Sequence, residues 1–242
     1  MRPRTLIAAL CMFGFASAAL AGFLPMMRDR PKRDNPYDPA TKPQSLPAVA
    51  PAVPGATATI TPTPVCGGSD HVTGGGTFSV GTFESTNDGF GQDTCCTNFV
   101  ASSPAVSTVH CVGTQALCGS VVFNHGGASH FEQTVLKKTI GPSQNWAGKK
   151  ITALARFDAG MDAMSAQLYI KTAGFKYSNG AITHPPAAGG WVPVVFDLAQ
   201  PPNYADPGTN TAQVIEIGFQ IYSNASDPDG TYGFCLDDVY VQ

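Results

Sequence analysis

The stretch Val214–Gln242, VIEIGFQIYSNASDPDGTYGFCLDDVYVQ, decides the fold class. Ile215, Ile217, Phe219 and Ile221 alternate with Glu216, Gly218, Gln220 and Tyr222, and side chains on a strand point to opposite faces with period two. One face is therefore an apolar row, while the other carries an acid, a glycine, an amide and a phenol. The acidic segment that follows, with Pro228-Asp229-Gly230, has the composition of a turn. It leads into a second strand that ends near Val241.

The same alternation recurs upstream. Candidate strands are Thr77–Phe83, Ser120–Asn124, Phe131–Lys138, Lys150–Phe157, Ala166–Thr172 and Trp191–Leu198, followed by Val214–Ser223 and Tyr232–Val241. Turn formers such as Ser178-Asn179-Gly180 separate them, and no window of a dozen residues keeps a 3.6 period. About eight antiparallel strands in one unit predict an all-β chain, a β-sandwich of jelly-roll, galactose-binding-like form.

The amino-terminal part reads differently. Arg2 and Arg4 precede an apolar run from Leu6 to about Leu20, and small residues around Ala21 follow. Residues 1–21 are thus expected to be a secretory signal peptide, leaving no membrane span after cleavage. Residues 22–65 are rich in Pro, Ala and Thr without periodicity and read as a disordered tether. Residues 66–242 are expected to form the sandwich, a monomer that is secreted, periplasmic or on the cell surface. The formal charge of the whole chain is −3. Its basic residues gather in the leader and tether, so the domain itself is acidic and nucleic acid is excluded as a partner. With Cys11 removed in the leader, Cys66, Cys95, Cys96, Cys111, Cys118 and Cys235 form an even set. In an exported protein that favours disulfides, with fifteen pairings open.

Three strands offer a polar face opposite their apolar one. These are Gln167, Tyr169 and Lys171 on the Ala166–Thr172 strand, Arg156 beside Thr152 on Lys150–Phe157, and Glu216, Gln220 and Tyr222 on Val214–Ser223. If the strands share a sheet, this face joins flat aromatic surface to fixed hydrogen-bonding groups. That is the chemistry a pyranose requires, with its C–H faces and its hydroxyls. An ordinary solvated sheet face is the plainer alternative.

With those strands placed, the chain resembles the β-sandwich carbohydrate-binding modules attached to secreted polysaccharide hydrolases, of the mannanase-associated type. The matching residues run in order: Phe83-Glu84, Gly126-Gly127, Trp146-Ala147-Gly148, Leu168–Thr172, Gly190-Trp191, IGFQIYS and Leu236-Asp237-Asp238-Val239. They cover roughly residues 77–242. The resemblance implies a non-catalytic module that binds a polysaccharide and often holds a structural Ca2+. It implies sugar contacts at Lys171, Phe175, Tyr177, Gln220 and Tyr222, with Tyr169 and Arg156 joining them from the face reading. Phe175 and Tyr177 are expected on a loop, where such modules often carry tryptophans. For calcium, Glu84 and Asp237 are the candidates and Asp238 the weaker one. Simple alternation puts Asp237 on the inward face with Val239 and Val241, where it needs a cation or hydrogen bonds. Trp146 and Trp191, each beside a strand start, are read as structural.

Two rivals remain open. A small polysaccharide lyase or hydrolase on the same fold would need catalytic groups. His125, His130 and Glu132 are the nearest grouping, but they lack evident further metal ligands. The other rival is a structural cell-envelope or matrix protein. Asp227 and Asp229 read as turn residues, and Asn224-Ala225-Ser226 is a glycosylation sequon.

Overall fold

The computed structural model describes Cys66 and residues 76–93, 99–127 and 130–242. The expected signal peptide, the tether, Cys95 and Cys96 lie outside the described residues. Twelve strands follow in chain order: β1 (Phe78–Gly81), β2 (Gly91–Gln92), β3 (Ala105–Ser107), β4 (Ala116–Phe123), β5 (Glu132–Gln144) and β6 (Lys150–Phe157). The series continues with β7 (Ser165–Thr172), β8 (Lys176–Asn179), β9 (Gly190–Asp197), β10 (Tyr204–Ala205), β11 (Val214–Ser223) and β12 (Gly230–Val241). Every strand expected from alternation is present. The additional ones, β2, β3, β8 and β10, are short and made of residues that read as turns.

Two six-stranded sheets form the sandwich. One runs β3-β4-β12-β6-β9, with β1 also paired to β12; the other runs β10-β8-β7-β11-β5-β2. All ladders between these strands are antiparallel. The expected apolar faces meet between the sheets: Ala153, Ala155 and Phe157 from β6 face Leu168 and Ile170 from β7 and Ile217, Phe219 and Ile221 from β11. The rings of Phe157 and Phe219 lie 6.3 Å apart across the interface. Trp146 is 2 % exposed and belongs to this core. Trp191 packs instead on a second small cluster of Cys111, Val112 and Leu154.

One expectation fails at the last strand. Phe234 and Leu236 point into the core, but so do Val239 and Val241. The parity changes because the register with β6 shifts between Asp237 and Tyr240, where Asp238 has a φ of 40°. A bulge of this kind places an extra residue on one strand and resets the alternation. Asp237 therefore does not share a face with Val239; it lies with Cys235 on the outer side of its sheet. The main-chain N–H groups of Cys111 and Val112 donate to its Oδ2 at 2.8 and 2.9 Å, and that of Asp238 to its Oδ1 at 2.8 Å. Burial pushes this carboxyl above the ordinary value, against the pull of those three bonds.

Disulfides hold the covering segment in place. Cys66 is bonded to Cys111, and Cys118 to Cys235, the latter pair directly opposite in the β4–β12 ladder. Cys118 is thus a strand residue of β4. The Cys118–Cys235 bond closes a loop of 117 residues in sequence, which restricts the unfolded chain. Replacing both cysteines by serine is expected to lower the unfolding free energy by about 2–4 kcal/mol. Urea titration of the oxidised protein checks this, and an unchanged midpoint would contradict it.

Candidate functional site

The polar faces of β7 and β11 do share a sheet. Gln220 stands opposite Gln167, Gly218 opposite Tyr169, and Glu216 opposite Lys171. On the other flank Gln220 faces Val135, Gly218 faces Lys137, and Tyr222 faces Gln133 of β5. Opposite residues of a ladder point the same way, so the outer face carries all of these side chains. Strand β8 adds Tyr177 opposite Lys171 and Asn179 opposite Tyr169. Tyr204 of β10 is opposite Asn179.

Gly218 sets the geometry. A Cβ there would lie 2.0 to 2.5 Å from ring atoms and the hydroxyl of Tyr169, so the Tyr169 ring lies across the bare backbone of β11. This phenol is 3 % exposed, although its face was expected to be open. Its OH donates to Glu216 Oε1 at 3.1 Å. Burial and the neighbouring Glu216 carboxylate push its pKa far above the ordinary 10.0, so it keeps its proton. Lys171 Nζ reaches the same Glu216 oxygen at 2.6 Å and lies 5.6 Å from the Tyr169 ring centroid. Asp93 takes Lys137 at 3.0 Å and stands 4.0 Å from Lys171. The two lysines of the face are thereby matched by two carboxylates.

A second row crosses the strands. Gln167 Nε2 and the Tyr177 hydroxyl donate to Gln220 Oε1 at 2.9 and 3.1 Å. The Gln220 amide in turn donates to Gln133 Oε1, and Asn179 Nδ2 to the Tyr177 oxygen at 3.2 Å. Above this row the rings of Tyr169 and Tyr177 stand 5.2 Å apart and those of Tyr177 and Tyr204 6.2 Å apart. Asp206 fixes the outer end, accepting from the Tyr204 hydroxyl at 2.9 Å and from the Tyr177 N–H at 3.0 Å. Gln167 is 1 % exposed, and no protein donor meets its Oε1. At the tip of the β7–β8 hairpin Phe175 is 75 % exposed with a φ of 57°, a conformation uncommon for an aromatic residue.

The structure thus brings together Tyr169, Lys171, Tyr177, Gln220 and Tyr222, and sets Phe175 at the hairpin next to them. Tyr177 is a strand residue of β8 and not a loop aromatic. Arg156 belongs elsewhere: β6 lies in the opposite sheet, and its guanidinium pairs with Asp158 at 3.2 Å. Tyr222 is 9 % exposed and only edges the face. Gln133 and Lys137 were within reach of the alternation rule on the Phe131–Lys138 strand. Tyr204, Asn179 and Asp93 had no such signal, because they sit on or beside strands of two to four residues.

The two chief calcium candidates, Glu84 and Asp237, engage the same short segment, residues 111–114. Glu84 accepts from the Thr114 main-chain N–H at 3.0 Å and from its hydroxyl, while Asp237 serves the three N–H groups described above. Among the described residues no group of three or more His, Cys, Asp or Glu side chains is arranged to hold a metal. The carboxylates of Glu84 and Asp237 both accept from main-chain donors. His125, His130 and Glu132 lie at the end of the sandwich, where Glu132 directly precedes Gln133 of the polar row. Among the described residues no helix is long and apolar enough to cross a membrane.

No protein-family profile matches the sequence, and no curated protein does. Solved structures do align with it. The carbohydrate-binding module CBM27-1 of Caldicellulosiruptor saccharolyticus, solved with mannohexaose, aligns over 69% of this chain and 97% of its own, at 14% identity and a TM-score of 0.48. A family 11 module of a cellulosomal cellulase of Clostridium thermocellum aligns over 70% and 95%, at 11% identity and a TM-score of 0.48. A further carbohydrate-binding module of the β-sandwich superfamily aligns over 66% of this chain, which spans 60% of that protein, at 15% identity and a TM-score of 0.46. The likeness is one of β-sandwich architecture. At these scores it carries no argument about ligand or site.

Gly218→Ala tests the packing on which the face rests. The Tyr169 ring must leave its seat, and stability is expected to fall by about 1–3 kcal/mol. Adding Tyr169→Ala should recover part of that loss, as a double-mutant cycle measures. Strictly additive losses would contradict the contact.

Proposed function

We propose that the chain is an exported, non-catalytic module that binds a polysaccharide on the outer face of the β10-β8-β7-β11-β5-β2 sheet. The observation that carries this reading is the row of amides and phenols, Gln133, Gln220, Gln167 and Tyr177, held by one another across four strands beside stacked tyrosines. Such groups meet sugar hydroxyls as donors and acceptors, and the aromatic rings meet the C–H faces of the sugar. Mutual hydrogen bonding fixes the side chains in advance, which reduces the ordering cost of binding. Phe175 supplies exposed aromatic surface at the hairpin tip. The lysines are paired with Asp93 and Glu216, which favours a neutral polymer.

Retention on insoluble mannan, cellulose, xylan and chitin tests the proposal. The protein is expected on at least one of them, without release of reducing or unsaturated ends. Retention on none would sink the binding reading, and released ends would favour the enzyme. Gln220 takes part in three side-chain hydrogen bonds of the row. At about 0.5–1.5 kcal/mol for each bond, Gln220→Ala is expected to weaken binding about tenfold or more. Isothermal titration with a soluble oligosaccharide of the retained polymer reads this out, and unchanged affinity would place the site elsewhere.

A further inference from the structure

His125 and His130, which the binding face does not use, lie where β4, β5, β11 and β12 end together. His125, in the β4–β5 turn, is 4 % exposed. Its Nδ1 lies 2.7 Å from Asp229 Oδ1 in the β11–β12 connection, and its main-chain N–H donates to the same oxygen at 2.9 Å. On the other side of the ring, Nε2 lies 3.3 Å from the carbonyl oxygen of Ser223, the last residue of β11. A neutral imidazole has a single N–H. An acceptor at each ring nitrogen is satisfied only when both nitrogens carry hydrogens.

The surroundings have the matching sign. Glu132 opens β5, is 8 % exposed, and accepts from the Asn124 N–H at 2.6 Å. Its other oxygen is 3.7 Å from His130 Nε2, and the His130 ring lies 6.0 Å from that of His125. Asp227, in the same connection as Asp229, is engaged by the Asn224 N–H at 2.6 Å. The Glu132 carboxylate and one further histidine therefore lie beside a ring held between two acceptors.

We propose that His125 is a proton-operated clasp that, as an imidazolium, ties the β4–β5 turn to the β11–β12 connection and regulates the adjoining end of the polar face. The coupling runs through two strands. Glu132 precedes Gln133, which accepts from Gln220, and Ser223 follows Tyr222. Only this coupling rests on the binding reading; the clasp itself does not.

The titration has a definite direction. Burial works against charge on the ring, but the Asp229 hydrogen bond, the Ser223 carbonyl and the charge of Glu132 outweigh it and hold His125 above the ordinary 6.5. The His125 main-chain N–H, and then its ring, hold Asp229 below the ordinary 3.8. A histidine raised in the folded state adds stability in full below its ordinary value and loses it as pH rises through the folded value. For the depressed carboxylate, the contribution is present above 3.8 and is lost as pH falls through its folded value. The clasp is closed below pH 6.5 and opens as pH rises through the folded midpoint, which lies above that value.

Nuclear magnetic resonance titration of the His125 ring in the full chain is the direct test. Both ring nitrogens are expected to be protonated at about pH 6, with a midpoint above 6.5 that falls in Asp229→Asn. A midpoint at or below 6.5, a singly protonated ring at about pH 6, or a midpoint indifferent to Asp229→Asn would each overturn the clasp. Affinity for the retained polysaccharide is expected to drop about fivefold or more as pH rises through the ring midpoint, and to be flat over that range in Asp229→Asn. A pH-independent wild-type affinity would overturn the regulatory link. Absence of any glycan binding would count against the proposed function, while the ring titration would still decide the clasp.

Discussion

Strand β11 has no side chain at position 218, and the Tyr169 ring from β7 occupies that space, lying flat across the outer surface of the sheet. Much of the face follows from this contact. The seated ring brings its hydroxyl to Glu216, which in turn holds Lys171. Its upper side offers a surface against which Tyr177 packs, and the Tyr177 hydroxyl then reaches Gln220. Hydrogen bonds in such a low-dielectric array strengthen one another. A face of separate solvated side chains is replaced by one in which each group has a fixed position.

The two sheets divide the work because their outer sides differ. On the β3-β4-β12-β6-β9 sheet, the Cys111–Val112 segment lies over Leu154 and caps Asp237. The disulfides Cys66–Cys111 and Cys118–Cys235 anchor that cover. The bulge at Asp238 turns a carboxylate toward the segment, so the burial of Asp237 is compensated by main-chain donors. The opposite sheet keeps its polar row of amides and phenols.

The long strands were readable because their periodicity is dictated by burial. Ile217, Phe219 and Ile221 had to share a face, and Gln220 had to stand on the other. That rule also put Lys171 and Tyr169 together on the polar face of their own strand. It gave no means of knowing which strands share a sheet, which is why Arg156 was grouped with residues of the opposite layer. Strict alternation also misplaced Asp237, since one residue in a left-handed conformation at Asp238 reverses the parity of everything after it. Tyr204 and Asn179 escaped notice for a different reason. Strands of two to four residues carry too few side chains to show a period, and their place is set by pairing with β7 and β8.

The central claim is that one outer sheet face, organised by Tyr169 over Gly218, receives a glycan chain. Chemical-shift mapping with a soluble oligosaccharide of the polymer that retains the protein tests it most directly. The account predicts that the largest changes fall on the side-chain amides of Gln133, Gln167 and Gln220 and on the rings of Tyr177 and Tyr204. Changes confined to the Trp191 and Arg156 side of the sandwich, or to the His125 end, would contradict it.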